Sequence, residues 1–183
     1  TPDRLARDLL DYEVELDIEV FDGALKRYSG LLGRKGRLSY LAQVEDLARS
    51  IRPRNPGGDG YFEPGWDRHH RLFRVVQGLE FGLPPEWYVD VLARNQRWPD
   101  AHYIIASRFA AAGRAEEALH WVETGLESGI APPEPRLLAL GVDACRSRGW
   151  LDRAARLVLR EFERRPNATL FAMLRNVGTE AGH

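Results

Sequence analysis

Apolar residues recur at three- and four-residue spacing along most of this chain, and glycine or proline interrupts each run. That rhythm is the mark of amphipathic helices. Leu5, Leu9 and Leu10 predict a first helix, with Pro2 and Asp3 suited to its start. Val20, Phe21, Ala24, Leu25, Tyr28, Leu31 and Leu32 form a face ending at Gly33. Leu38, Leu41, Val44, Leu47 and Ile51 form the next, ending before Pro53. The acidic run from Asp11 to Asp22 alternates Tyr12, Val14, Leu16, Ile18 and Val20 with period two, as a strand would. A lone strand cannot satisfy its backbone groups, so the run reads as helix, break near Asp17, helix. Further on, Leu72, Phe73, Val75, Val76 and Leu79 predict a helix stopped by Gly82 and Pro84-Pro85. Trp87, Tyr88, Val91 and Leu92 predict another, stopped before Pro99; the two read as a degenerate helical hairpin.

From Ala101 to Arg165 the pattern repeats. Ile104, Ile105, Ala106 and Phe109 give an apolar stripe, ended by Gly113, where a left-handed C-cap costs a residue without Cβ little. Ala118, Leu119, Val122 and Leu126 give a second stripe. Ala118 and Gly125 are small where neighbouring helices would cross closely. The second copy carries Gly149 and Ala154, each 36 residues after Gly113 and Ala118. A fixed period of about 34 residues with two helices per period marks a helical-repeat array. Ala131-Pro132-Pro133 lengthens this period, and Asn167 to Gly182 supplies a terminal helix that covers the last apolar face. The expected fold is all-α: an α-α superhelix of antiparallel helical hairpins, nine or ten helices in one domain over 1–183. Residues 1–52 are N-terminal helices, 53–66 a loop, and 67–183 hairpins with a capping helix. The loop region holds three prolines and four glycines between Arg52 and Trp66, with Tyr61, Phe62 and Trp66 as aromatics able to pack back on the array.

Ile105, Ala106 and Phe109, with Gly113, Ala118 and Gly125, resemble a tetratricopeptide repeat. In the second copy Gly149, Ala154 and Pro166 match, whereas Gly141, Val142 and Cys145 are poor matches and Glu161 replaces the small residue. The whole chain is similar to a bacterial family of helical regions of unassigned function, found alone or behind a SWIM zinc finger. The likeness rests on Val20-Phe21-Asp22-Gly23-Ala24, Arg27-Tyr28 and Leu32-Gly33, on Gly113 to Glu123, and on Phe162 to Pro166. The zinc finger needs a Cys-x-Cys and a Cys-x-His pair. This chain has one cysteine, so the finger's metal and DNA roles do not carry over.

Composition narrows the chemistry. Net charge is −1, which gives no global field towards nucleic acid or an anionic membrane. No run of eighteen apolar residues and no signal-peptide pattern occurs, so the expected location is cytoplasmic with no membrane partner. The chain begins at Thr1 without Met and reads as part of a longer product. Cys145 reads as a buried small hydrophobe rather than a reactive thiol. His69 and His70 with Glu63 and Asp67 have metal-ligand chemistry. Adjacent helical histidines point about 100° apart, however, and no metal is expected. Arginines Arg136, Arg146, Arg148, Arg153, Arg156, Arg160, Arg164 and Arg165 alternate with acids, which reads as a solvated face with weak ion pairs rather than a nucleic-acid stripe.

No catalytic constellation or phosphate loop is present, so the chain reads as a non-enzyme without cofactors. The expected function is a protein-protein interaction scaffold gripping a protein or peptide partner on the first helices of its hairpins. The candidate groove residues are Tyr103, Ser107, Arg136, Asp143 and Arg146. Arg136 and Arg146, ten residues apart, share a helix face, and a guanidinium fork suits a peptide carboxylate. Pairing of both arginines with Asp143 and its neighbours is the competing expectation. The alternative function, which the SWIM resemblance implies, is an accessory helical module of a nucleic-acid-associated protein.

Overall fold

The computed structural model describes residues 1–16, 23–50, 66–79, 83–93, 99–128 and 135–182. Among these residues the protein is all-helical, with ten α-helices and no strand. Contacts divide the chain into two compact units, Thr1–Arg94 and Asn95–His183, where the hydrophobic pattern alone suggests one array. The expected break near Asp17, the stop at Gly82, the Ala131 to Pro133 insert and the loop expected at 53–66 lie outside the described residues, except for Trp66, which is helical rather than part of the loop. No helix among the described residues is long and apolar enough to cross a membrane.

Unit 1 contains α1 (Pro2–Glu15), α2 (Ala24–Arg27), α3 (Ser29–Ser50), α4 (Trp66–Gln77) and α5 (Pro85–Leu92). Thr1 caps α1, its hydroxyl accepting from the Arg4 amide at 3.3 Å. The other four helices all pack on α3. Gly33 breaks α3 without ending it, with φ 58° and ψ −171°. The buried row of α3 is Gly36, Tyr40, Val44 and Ala48, whereas Leu38 is exposed. Of the expected face, Val44 is buried, Leu41 and Leu47 are half-buried, Leu38 is the one displaced to solvent, and Ile51 lies outside the described residues. The cause lies at Gly36, where a Cβ would come within 3.0 Å of Leu32 Cδ2 and 3.3 Å of Pro2 Cβ. Close approach of α1 at the missing side chain turns α3 about its axis, so packing overrides the leucine count.

Helix α4 buries Leu72, Phe73, Val75 and Val76, and α5 buries Trp87, Tyr88, Val91 and Leu92, as the pattern predicts. Their partners differ from the hairpin expectation. α4 packs chiefly on α1, and α5 on α3. Trp87 Nε1 donates to Glu45 Oε1 at 2.5 Å, tying α5 to α3.

Unit 2 contains α6 (Pro99–Ala111), α7 (Ala115–Glu127), α8 (Pro135–Ser147), α9 (Leu151–Arg164) and α10 (Ala168–Ala181). Each helix packs on the next, and α6 also packs on α8. The turns after α6 and α8 share one design. Gly113 and Gly149 have φ of 73° and 71°. The Gly113 amide bonds to Ala110 O at 2.9 Å and the Arg114 amide to Phe109 O at 3.0 Å; Gly149 with Arg146 and Trp150 with Cys145 repeat this at 3.0 Å each. Both are Schellman caps, which a side chain at the glycine would strain. Ala118 and Ala154 are fully buried, at the places where the 36-residue spacing puts them. Asn167 caps α10 by accepting from the Leu170 amide at 2.9 Å.

Candidate functional site

The candidate face is built where α6 lies against α8. Gly125 of α7 admits side chains of both helices at their approach, and Gly141 of α8 does the same for α7 and α9. A Cβ at Gly125 would stand 2.6 Å from Leu137 Cδ2 and 2.7 Å from His102 Cβ. A Cβ at Gly141 would stand 2.8 Å from both Leu157 Cδ2 and Val122 Cγ1. Gly141, which matches a tetratricopeptide pattern poorly, therefore still has a packing role, since aliphatic side chains of α7 and α9 fill the space it leaves.

This approach brings two of the candidate residues together. The Arg136 guanidinium lies over the Tyr103 ring, 4.3 Å from its centroid. Asp100, one turn before Tyr103 on α6, is 3.9 Å from Arg136. The remaining candidates are occupied otherwise. The Ser107 hydroxyl donates to Ile104 O of its own helix at 2.7 Å. Arg146 makes a bidentate pair with Glu180 of α10, both bonds 2.8 Å, and reaches Asp143 at 3.5 Å. The Glu180 hydrogen bonds raise the Arg146 pKa above its ordinary value. Arg146 thus holds α10 in place, and the expected two-arginine clamp divides into a stacked arginine and a structural one.

Four further arginines of the C-terminal third join separate elements of unit 2. Arg153 meets Glu116 at 2.7 Å and Glu123 at 3.4 Å, and Arg160 meets Glu127 at 2.8 Å. Arg164 donates to Leu126 O at 3.0 Å and pairs with buried Glu161 at 3.2 Å. Arg148 donates to Gly113 O at 2.5 Å, linking one turn to the other. The pairs couple α9 to α7, whereas the sequence reading had them within one solvated face.

Two polar groups escaped the sequence reading. Glu13 is buried in unit 1; its Oε1 accepts from the Ala24 amide at 3.0 Å and its Oε2 from the Tyr40 hydroxyl. Burial, then the adjacent Glu13 charge, pushes the Tyr40 phenol far above its ordinary pKa, so it stays a donor. The available signal was helical register, since Glu13 follows Leu9 and Leu10 on the buried face of α1. His102 in unit 2 is 1% exposed, and its Nε2 has no hydrogen-bond partner among the described residues. Burial lowers its pKa, so the imidazole is held neutral. Its ring centroid lies 6.1 Å from that of Trp121.

Burial raises the Cys145 thiol pKa, which disfavours the thiolate. Unit 1 has an open depression of about 490 Å³ with Glu13, Gly23, Arg71 and Arg74 in its wall. Arg71 there donates to the last carbonyls of α1, Val14 O at 3.2 Å and Glu15 O at 2.7 Å, which is the work of a helix C-cap. Among the described residues no group of three His, Cys, Asp or Glu is placed to hold a metal ion. Glu63 of the histidine cluster lies outside the described residues. Comparison with family models, curated proteins and solved structures finds no match to this chain.

Proposed function

We propose that residues 95–183 act as a non-catalytic interaction module, a tetratricopeptide-like array that binds a protein or peptide on the face shared by α6 and α8. The observation that carries this reading is the stacking of Arg136 on Tyr103 at 4.3 Å, two side chains from different helices held together by the α6–α8 contact. Stacking fixes the plane of a guanidinium while leaving its N–H edge to recognise a carboxylate at two points. An acidic side chain or C-terminal carboxylate then competes with Asp100 for that edge. Twin turns at Gly113 and Gly149 support the array reading, because they set two helix pairs in the same local geometry. Arg146 and Asp143 serve by anchoring α10, and Ser107 by lining the face.

The test is affinity capture from cells that express the intact gene product, comparing the native chain with a Tyr103→Ala, Arg136→Ala double variant. The expected result is a partner held by the native chain and lost by a variant whose melting temperature is unchanged. Equal recovery by both, or no protein enriched over a bare matrix, removes this face as the binding site.

A further inference from the structure

The net charge of −1 conceals a segregated segment in unit 1. From Gly23 to Tyr40 the chain carries five cations, Lys26, Arg27, Arg34, Lys35 and Arg37, and no Asp or Glu. The same segment holds the two most exposed large apolar side chains among the described residues, Leu31 at 72% and Leu38 at 59%. Neither property follows from the needs of the fold. Arg34, Lys35 and Arg37 lie in the first turn after the Gly33 break, where a helix presents its positive end. Acidic residues stabilise that position and cations oppose it. Within the unit Arg34, Lys35 and Arg37 are weakly engaged. Lys35 reaches Asp3 at 3.1 Å while remaining largely exposed, Arg37 turns its Nε back to Gly33 O at 3.3 Å, and Arg34 has no ion-pair partner among the described residues.

We propose that this edge, from Lys26 to Leu38, docks on an anionic lipid bilayer, with Leu31 and Leu38 at the acyl boundary and the cations at the lipid phosphates. Basic residues around protruding leucines match both layers of such a surface, because anionic headgroups attract the former and the acyl boundary takes the latter. A nucleic-acid backbone would satisfy the cations and leave the leucines without an apolar partner. The whole-chain charge is no obstacle. Screening limits electrostatics to about 8 Å at physiological salt, so the local sign decides.

The test is co-sedimentation of the full chain with phosphatidylcholine vesicles, with and without phosphatidylserine. The expected result is binding to the serine-containing vesicles alone, weakened by salt. Arg34→Ala with Lys35→Ala should lower the partition coefficient about 25-fold, at about fivefold per cation, and Leu31→Ser about tenfold. Leu38→Ser reads the same contribution should Leu31→Ser lower the melting temperature. No binding to either vesicle overturns the proposal, as does equal binding to both. A third result also overturns it: a single-stranded oligonucleotide bound more tightly than the vesicles, with loss on charge removal and none on leucine removal. That outcome would reassign the edge to nucleic acid.

Discussion

The two units hold together by opposite means. Unit 2 carries matched features: two turns with the same capping bonds, two buried alanines 36 residues apart, and ion pairs between helices at its surface. Unit 1 has no period. Four helices gather on α3, and its distinctive contact is a buried carboxylate shared by an amide and a phenol 27 residues from it. In unit 2 cohesion is spread over many repeated small terms, while unit 1 concentrates more of it in one polar junction. A substitution at that junction should therefore cost more than one at either turn of unit 2, and hydrogen exchange can report the two units separately.

The largest effect is expected at Glu13. Glu13→Ala leaves the Ala24 amide and Tyr40 hydroxyl buried without their acceptor, at a cost of about 3 kcal/mol, with loss of protection confined to unit 1. A cost below that of a single turn-glycine substitution in unit 2 would invert the comparison. Next come the crossing glycines. Gly125→Ala sets a methyl against Leu137 and His102, and about 1–3 kcal/mol is expected from overpacking. Thermal melting checks it, and an unchanged melt would mean that α7 packs loosely against α6 and α8. Gly113→Ala and Gly149→Ala should each cost about 1–2 kcal/mol for the left-handed backbone. Near-equal values in the two variants would sharpen the claim of twin turns, and a wide gap would break it.

The smallest effect is a pH dependence seated in unit 2. Because burial lowers the folded-state pKa of His102, its neutral form is the native one. Its contribution is intact above the unfolded value of about 6.5 and declines as pH falls below it, by at most about 1.4 kcal/mol per pH unit. His102→Phe should flatten the stability profile of unit 2 between neutral and mildly acidic pH, measured by denaturant midpoints. A profile that the substitution leaves unchanged would show that the imidazole protonates in place.

Legibility in the sequence followed the same division. Helix existence was readable nearly everywhere, since it depends on local spacing and on glycine and proline stops. The turns at Gly113 and Gly149 and the burial of Ala118 and Ala154 were readable because each copy constrains the other. The Tyr103–Arg136 stack was readable in outline, because first helices of successive hairpins were expected to lie side by side. What lacked a local signal was lost. Arg146 finds Glu180 across 34 residues, and Glu13 finds Tyr40 across 27. The buried face of α3 was misread at Leu38 because leucine content suggested one orientation and the gap at Gly36 imposed another. Hydrophobicity states that a residue prefers burial; the absence of a side chain decides which residue obtains it.

The Arg148 contact matters to anyone who would lengthen unit 2. It has a direction, running from the donor just before the second turn's glycine to the carbonyl of the first. The position 36 residues before Arg148 is Ala112, which carries no donor, so the first turn only receives. A hairpin grafted in front of α6 would need Ala112→Arg to repeat the link, with a glycine turn of its own to accept it. A hairpin grafted after α9 would displace α10 and leave Arg146 in need of a new carboxylate. The two ends of this module are thus unequal as points of growth, and the front end requires the single change.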